Sequence, residues 1–281
     1  MIDLHTHSNF SDGTDTPTEL LSKALAAGLS TIALTDHDTI VGWDEAINHL
    51  RPGLALVLGS EISCQTNDGM SVHMLGLLFD RDNKPLAEMM AQTRENRIGR
   101  MAKIIARLST AGYEVTMQDV EAQLSEGATL GRPHLADALI AKGYLNSREA
   151  VFKELLHNDS PFYVAHYSPT PEEAIGLIKR AGGVAVIAHP MSSLRGRVVA
   201  AANFESYVNA GLDGIEVFHR DHTLENRELL KAIADDFNLA KTGASDYHGN
   251  GKLNKLAEFH TDPAEFEKLE SAANERRVIR K

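Results

Sequence analysis

The sequence predicts an α/β fold in which a parallel sheet closes, or nearly closes, into a barrel. About seven short apolar stretches alternate with helical stretches, which is the pattern of parallel strands joined by crossover helices. Histidine and acidic residues follow many of the predicted strands. Because the carboxyl ends of the strands gather at one rim of such a barrel, a closed arrangement explains these residues better than an open sheet does.

The predicted strands lie on both sides of a helix-rich stretch. They are expected at residues 2–5, 30–35, 54–58, 70–79, 184–188, 214–218 and 239–244. Between them, residues 84–170 have little strand signal, and helices are expected near 86–111, 117–125, 133–142 and 147–156. The chain is therefore divided into a barrel, residues 1–83 and 171–281, and a helical insertion, residues 84–170, that covers the active site.

The barrel helices have recognisable ends. Thr16-Pro17-Thr18-Glu19 begins the first one, with an early proline and a carboxylate in the first turn, and Gly28 ends it. The others are expected near 40–50, 172–181, 200–210, 224–237 and 263–273, the last followed by a charged tail. In the insertion, basic residues recur at a spacing more typical of a solvated helix face than of a binding groove: Arg94, Arg97, Arg100, Lys103 and Arg107.

Composition excludes several classes of protein. A formal net charge of -11 and a pI near 5.6 argue against a protein that coats nucleic acid by bulk electrostatics. The single cysteine, Cys64, cannot form an internal disulfide. No apolar run approaches the ~20 residues that span a bilayer, and no signal peptide precedes the first strand, so we expect a cytoplasmic protein without a membrane partner.

The first thirteen residues contain the strongest local signal. His5 and His7 are two apart just beyond an apolar start, and alternate side chains of extended backbone share a face, so both imidazoles can point at one metal ion. Asp12 follows in a turn and can hold a carboxylate at the edge of the same site. His-x-His alone is a weak motif, and the remaining strand ends give it weight.

Nine residues at strand ends form the candidate metal site. Taken singly, each could be structural, and His73 for example could be a core histidine. The residues on either side of His37, Asp36 and Asp38, could be only turn formers. Together they supply imidazole and carboxylate without thiolate, which suits Mn, Fe or Zn. Two or three ions bridged by Glu61 or Asp246 would activate a water and clamp the oxygens of an in-line displacement, as in a phosphoester hydrolase. The nine are His5, His7, Asp12, His37, Glu61, His73, His189, Asp246 and His248.

These motifs also resemble a known family. The order His5-x-His7, Thr35-Asp36-His37-Asp38, Gly59-x-Glu61, His73, Ala188-His189-Pro190 and Ser245-Asp246-x-His248 is similar to that of the polymerase-and-histidinol-phosphatase (PHP) superfamily. The resemblance implies a distorted (β/α)7 barrel with a trinuclear metal site. It assigns His5, His7, Glu61 and Asp246 to a first ion. It assigns Glu61, His73 and His189 to a second ion, and Asp12, His37 and His248 to a third.

The insertion resembles that of one PHP subgroup, the 3',5'-nucleotide bisphosphate phosphatases and related 5'-to-3' exoribonucleases. In that subgroup an Arg-x-His element approaches the phosphate, so Arg132 and His134 are the candidate catalytic and substrate-binding residues. The alternative is that Arg132-Pro133 only begins a helix. His222 is a weaker substrate candidate. Arg195 and Arg197 could meet a second phosphate, although residues 191–194 depart from the Gly-Arg that commonly follows His-Pro in the subgroup.

The expected activity is metal-dependent phosphoester hydrolysis by activated water, with two or three divalent ions, manganese foremost and iron or zinc as alternatives. The expected partner is a small phosphorylated substrate: a nucleotide 3',5'-bisphosphate or the 5' end of a short RNA. A histidinol phosphatase and a non-catalytic PHP-like binding module are the alternatives. The sequence leaves the oligomeric state open.

Overall fold

The computed structural model describes residues 1–157, 160–165, 167–193, 197–275 and 277–281. Its strands follow the predicted order, and the last one was not predicted. They are β1 (Ile2–Asp3), β2 (Thr31–Leu34), β3 (Ala55–Gln65), β4 (Ser71–Leu77), β5 (Val184–Ala188), β6 (Gly214–Phe218), β7 (Ala240–Gly243) and β8 (Ile279–Arg280).

Helices accompany the barrel strands and build the insertion. The barrel helices are α1 (Pro17–Ala26), α2 (Trp43–His49), α7 (Pro171–Arg180), α8 (Asn203–Ala210), α9 (Leu224–Asp236) and α10 (Pro263–Ala272). The insertion contains α3 (Lys84–Thr110), α4 (Met117–Glu121), α5 (Arg132–Ala141) and α6 (Arg148–Val151), which continues into a π-helical turn, Phe152–Leu156. The predicted start of α1 is present, because Thr16 and Glu19 form reciprocal capping bonds ahead of the helix.

The sheet pairs in chain order from β1 to β7. β4 is antiparallel to both β3 and β5, whereas the other neighbours on this path are parallel. The prediction of an all-parallel sheet is therefore wrong for β4. Residues 66–70 join β3 to β4, and so short a connection forms a hairpin because a parallel crossover needs about a dozen residues. Gly69 supplies the positive φ of +84° in this turn.

The barrel closes just beyond its first and last parallel strands. Thr6 bridges Tyr247 in the parallel sense, and the His7 N–H donates to the Tyr247 carbonyl at 2.9 Å. The nearly closed seven-strand barrel is thus confirmed. Its rim at the carboxyl ends of the parallel strands carries the loops with the predicted ligands.

The end of the chain is a strand rather than a free charged tail. β8 pairs antiparallel with the start of β3, with Ala55 opposite Arg280. The Arg280 guanidinium lies 2.8 Å from the Glu270 carboxylate on α10. The charged tail that was predicted after the last helix therefore includes a strand, and two residues are too short a strand for a sequence pattern to indicate.

Apolar side chains fill both faces of the barrel wall. Ile32 and Leu34 of β2 belong to one cluster and Ala33 to the other, as alternation along a strand requires. Phe266 and Leu269 of α10 join the second cluster. A third cluster lies within the insertion, between α3, α5 and α6. Within the described residues, no helix is both long and apolar enough to cross a membrane.

The basic residues of α3 are largely engaged by protein rather than by solvent. Arg97 donates to the Asp38 carboxylate at 2.7 Å, and Arg100 Nε donates to the Val164 carbonyl at 2.7 Å. Two other arginines of α3 also donate to backbone carbonyls: Arg94 and Arg107. The prediction of a solvated face is wrong for Arg94, Arg97 and Arg100, which are half-buried, whereas Arg107 is exposed as predicted. The spacing shows that these residues share a face but not what packs against it.

Candidate metal centre and its surroundings

The barrel rim brings all nine predicted ligands together. Their imidazole nitrogens and carboxylate oxygens form overlapping groups, and the candidate ligand atoms of each group lie within 4.8 Å of one another. All of these side chains except that of His73 are buried. So many buried polar groups are unfavourable unless they bond to one another or to cations.

Two carboxylates face the His-x-His pair. Nε2 of His5 lies 3.2 Å from Glu61 Oε2 and 3.5 Å from Asp246 Oδ1. Nε2 of His7 lies 3.1 Å from the same Glu61 oxygen and 3.4 Å from the same Asp246 oxygen. Both imidazoles therefore present Nε2 to one shared position, as extended backbone at residues 5–7 predicts.

Glu61 serves a second group with its other oxygen. Its Oε1 lies 2.6 Å from His73 Nδ1 and 2.9 Å from His189 Nε2. His73 and His189 come from the antiparallel β4 and from the end of β5. Each Glu61 oxygen thus faces a different set of imidazoles, which is the geometry of a bridging carboxylate.

Asp12 is the centre of the third group. Its Oδ1 lies 3.1 Å from His248 Nε2, and its Oδ2 lies 3.7 Å from His37 Nε2. The other ring nitrogen of His37, Nδ1, lies 3.1 Å from Glu61 Oε2. His37 therefore stands between Asp12 and Glu61, and the three groups are continuous.

Several buried atoms of this cluster make no hydrogen bond within the part of the chain that the structure describes: Glu61 Oε2, His37 Nδ1 and His248 Nε2. A buried polar atom without a partner costs about 1–3 kcal/mol. Imidazole nitrogen and carboxylate oxygen are ligands for Mn, Fe and Zn. A divalent cation therefore fits this donor set on geometric and energetic grounds.

The electrostatics of the cluster favour cations. Burial lowers the pKa of His5 and His7, but the surrounding carboxylates outweigh it, raising that of His5 well above its usual range and that of His7 to about 9. Burial raises the pKa of Glu61, but the neighbouring imidazoles outweigh it and hold that pKa well below its usual range. The raised pKa values mean that these carboxylates favour positive charge at the His5–His7 pair, whose Nε2 atoms lie 3.0 Å apart, and a metal ion can supply that charge in place of a proton.

Comparison with known proteins places the chain in a family. The PHP domain family matches residues 3–178, which is more than half of the 281 residues. The chain belongs to the PHP domain family.

Individual PHP relatives resemble the chain over most of its length. It is 34% identical over 252 residues to a 3',5'-nucleoside bisphosphate phosphatase of Chromobacterium violaceum, covering 89% of this chain and 88% of that one. It is 35% identical over 252 residues to a 5'-3' exoribonuclease of Haemophilus influenzae, covering 88% and 89%. It is 34% identical over 253 residues to a phosphoribosyl 1,2-cyclic phosphate 1,2-diphosphodiesterase of Eggerthella lenta, covering 88% and 94%.

A solved structure agrees with this assignment. A protein of Bifidobacterium adolescentis described as a metal-dependent phosphoesterase is 39% identical, with a TM-score of 0.92 over 97% of this chain and 96% of its own. The PHP protein described here is a metal-dependent phosphoesterase, which confirms the expected enzyme class.

The PHP centre has an outer carboxylate that the sequence analysis missed. Glu216, in the middle of β6, is fully buried. Its Oε1 lies 3.2 Å from His5 Nδ1, and its Oε2 accepts the His189 N–H at 2.6 Å. When His5 donates its Nδ1 proton to Glu216, its Nε2 remains available to face the position that it shares with His7. The sequence signal that could have identified it is a single acidic residue inside the apolar stretch Gly214–Phe218.

Two cationic or basic side chains lie behind Asp246, and both were also missed as site residues. Lys252 Nζ lies 2.8 Å from Asp246 Oδ2, and His219 Nε2 lies 3.6 Å from the same oxygen. Asp246 therefore turns Oδ1 toward His5 and His7 while Oδ2 faces these groups. Nothing in the local sequence pattern indicates that Lys252 folds back onto the centre.

Asp36 is more than a turn former. It is buried, and its carboxylate accepts from the Ser8 N–H at 2.8 Å, the Ser8 hydroxyl at 2.6 Å and the Ser11 hydroxyl at 2.6 Å. These bonds fix the loop that carries Asp12 against the end of β2.

His134 lies near Asp12 of the candidate metal site, whose charge acts on its pKa. It is buried in the first turn of α5, and its Nδ1 accepts the Gly131 N–H at 3.1 Å. Burial lowers its pKa, against the opposing effect of the nearby Asp12 charge. A neutral ring that accepts at Nδ1 carries its proton on Nε2, so this nitrogen is a donor.

Arg132 points into the insertion. Its Nη1 donates to the Leu156 carbonyl at 2.7 Å, and its guanidinium lies 5.6 Å from the ring centroid of Phe152 and 6.0 Å from that of Tyr163. Arg132 is also the first residue of α5, so it does begin a helix as well.

The remaining substrate candidates have other partners. His222 Nδ1 donates to the Val217 carbonyl at 2.9 Å and its Nε2 accepts the Met191 N–H at 3.2 Å, so both ring nitrogens are used while these bonds persist. Arg197 pairs with Asp68 at 2.7 Å on the surface. Arg195 lies outside the described residues.

Proposed function

We propose that this phosphoesterase releases phosphate from nucleotide 3',5'-bisphosphates or acts on the 5' end of short RNA. The observation that carries the proposal is the position of His134, in the first turn of α5, close enough to Asp12 for that charge to act on its pKa. The Thr129 N–H donates to the Phe10 carbonyl at 2.9 Å, which joins the segment before α5 to the loop of Asp12. Relatives named as a bisphosphate phosphatase and as a 5'-3' exoribonuclease support the same substrate class.

We further propose that the rim holds two or three divalent ions, manganese foremost. A first ion would be held by His5, His7, Glu61 and Asp246. A second would be held by Glu61, His73 and His189, and a third by Asp12, His37 and His248. Bound ions supply Lewis acidity and lower the pKa of water, so that a nucleophile exists at neutral pH.

The protein side chains would bind and protonate the substrate. His134 would donate its Nε2 proton to a phosphate oxygen or to the leaving oxygen. Arg132 would stabilise negative charge on the transferred phosphoryl group, and to do so its guanidinium would have to share or exchange its bond to Leu156. His222 would act indirectly, by holding the backbone that follows His189.

A second candidate substrate is a cyclic phosphodiester. The observation in its favour is the similarity to the phosphoribosyl 1,2-cyclic phosphate 1,2-diphosphodiesterase, which covers 94% of that relative. Metal ions held by these ligands would stabilise the attacking and leaving oxygens in the hydrolysis of a phosphomonoester or of a phosphodiester. A histidinol phosphatase and a non-catalytic module are not favoured.

The test is turnover by the Mn-loaded protein, followed by chromatography of the products. It measures inorganic phosphate released from adenosine 3',5'-bisphosphate and from histidinol phosphate, mononucleotide or phosphate released from a short 5'-phosphorylated RNA, and ring opening of ribose 1,2-cyclic phosphate to a phosphomonoester. We expect turnover of the bisphosphate or the RNA, lost in Asp246→Ala. Preference for the cyclic diester would move the assignment to the second candidate. Turnover of histidinol phosphate alone would overturn the nucleotide proposal while keeping the enzyme class.

A further inference from the structure

Asp38 is a buried carboxylate directly after the candidate ligand His37. It is 0% exposed, and its backbone φ is +53°, which is uncommon for a residue with a side chain. Its N–H donates to the Glu61 carbonyl at 3.0 Å, and its Oδ1 accepts the Ser63 N–H at 2.8 Å. Asp38 therefore ties the end of β2 to the ligand-bearing part of β3.

Arg97 of α3 supplies the cation for this carboxylate. Its Nη2 lies 2.7 Å from Asp38 Oδ2, with the two side chains 15% and 0% exposed. The same nitrogen donates to the Ser63 hydroxyl at 2.5 Å. Ser63 is the β3 partner of His73 in the sheet register. One guanidinium thus contacts the residue that follows His37 and a residue of β3 two positions after Glu61.

The other side of this guanidinium contacts the insertion. Nη1 of Arg97 donates to the Leu130 carbonyl at 3.4 Å. Leu130 precedes Gly131, whose N–H donates to His134 Nδ1. A continuous set of contacts therefore joins His37 to His134 through Asp38, Arg97 and the residues that begin α5.

We propose that Arg97 is a positioning residue that sets the distance between the metal centre and His134. The planar fork of arginine suits this role because it can bond a carboxylate and a carbonyl in two fixed directions. Lysine keeps the charge but offers one point donor, so it can satisfy Asp38 without holding Leu130. The inference rests on the proposed role of His134 at the phosphate.

The experiment compares Arg97→Met with Arg107→Met. Both residues lie on α3 and donate to backbone carbonyls, but Arg107 is exposed and its bonds go to the carbonyls of Pro161 and Tyr163. Turnover of p-nitrophenyl phosphate by the Mn-loaded protein depends only on the phosphoesterase class. We expect kcat to fall about 10–100-fold in Arg97→Met, as for other outer contacts of metal sites, and to change less than about twofold in the control.

Two further variants separate positioning from stability. The double variant Arg97→Met/Asp38→Asn also removes the buried Asp38 charge that Arg97→Met leaves without its partner. We therefore expect it to recover Tm but not kcat. Arg97→Lys should fold and bind Mn normally, yet keep a kcat below wild type. Recovery of kcat in the double variant, or wild-type kcat in Arg97→Lys, would overturn positioning and leave Arg97 as a charge partner only. If the wild type hydrolyses p-nitrophenyl phosphate but no nucleotide, the proposed substrate fails and the Arg97 test still stands.

Discussion

The barrel rim differs in its charged groups from the inner face of the insertion, which is the face that carries Arg97, Arg100 and Arg132. The rim gathers buried imidazoles and carboxylates, and some of its atoms lack hydrogen bonds among the described residues. The inner face presents arginines that bond backbone carbonyls, with Asp38 as the carboxylate partner of Arg97. The rim is therefore suited to bind cations, whereas the arginines of the insertion already have carbonyl and carboxylate partners, one of them Asp38 of the barrel. Variants of the rim should change metal content, and variants of the insertion should change catalysis with the metals in place.

The largest effect is expected at Glu61, which faces every group of the rim. Glu61→Gln keeps the shape but removes the charge and one acceptor oxygen. We expect activity to fall by more than about 100-fold, beyond the usual cost of an outer contact, and metal content to fall with it. Metal analysis of the purified variant beside wild type measures this. Full metal content with near-normal turnover would show that Glu61 does not bridge.

A smaller effect is expected at Glu216, which contacts the candidate ligands His5 and His189 from behind. Glu216→Gln weakens the contacts to the His5 ring and to the His189 N–H without touching the shared position. We expect about a 10–100-fold loss of Mn affinity, recovered in activity assays at high Mn. Titration calorimetry gives the affinity. An unchanged affinity would mean that His5 is oriented by its strand alone.

Proton release on metal binding tests the charge balance of the rim. The pKa of His7 is raised to about 9 and that of His5 well above its usual range, so protons compete with metal for this pair of imidazoles near pH 7. Mn affinity should rise about tenfold per pH unit, up to about pH 9, for each proton displaced. Calorimetry in two buffers of different ionisation enthalpy counts the protons, and affinity independent of pH would contradict the balance.

The raised pKa of His7 also predicts how the stability of the metal-free chain depends on pH. Stability should fall as pH rises, whereas metal affinity should rise. A pKa raised in the folded state stabilises the fold fully below the unfolded value of 6.5, and this contribution is lost as pH rises through about 9. The metal-free protein should therefore lose Tm between these values, while the metal-loaded protein should not.

The smallest effect is expected at Lys252, whose ammonium lies 2.8 Å from Asp246 and is 31% exposed. Lys252→Met should lower Mn affinity only a few-fold, because solvent screens part of the interaction. Lys255, three residues on, is the matched control. A loss of Mn affinity as large as that of Glu216→Gln would show that Lys252 orients Asp246 as strongly as Glu216 orients His5.

The rim could be predicted from the sequence because strand topology fixes where its residues lie. His5 and His7 share a face by alternation, and strands such as β5 and β7 deliver the residues that follow them to one edge. His73 is the exception, since it lies inside β4, and the Asp68-Gly69 turn that makes β4 antiparallel was a hairpin signal left unused. Glu216 could have been found as a buried acid in an apolar strand.

The insertion could not be predicted to the same depth. The spacing of Arg94, Arg97, Arg100 and Arg107 gives a helix face, but what that face contacts depends on how the helix packs in three dimensions. Long side chains add to the difficulty, because a guanidinium can end several ångströms from its backbone. For this reason Arg97 appeared solvated in the sequence and is largely buried in the structure.

The most direct test of the rim as a metal centre is anomalous diffraction from a crystal grown with Mn. The account predicts two or three peaks inside the rim: one near His5, His7 and Asp246, one between Glu61, His73 and His189, and any third beside Asp12 and His248. Each should lie roughly 2.0–2.2 Å from the named nitrogens and oxygens. Activity that needs Mn, combined with no peak within this cluster, would contradict the account.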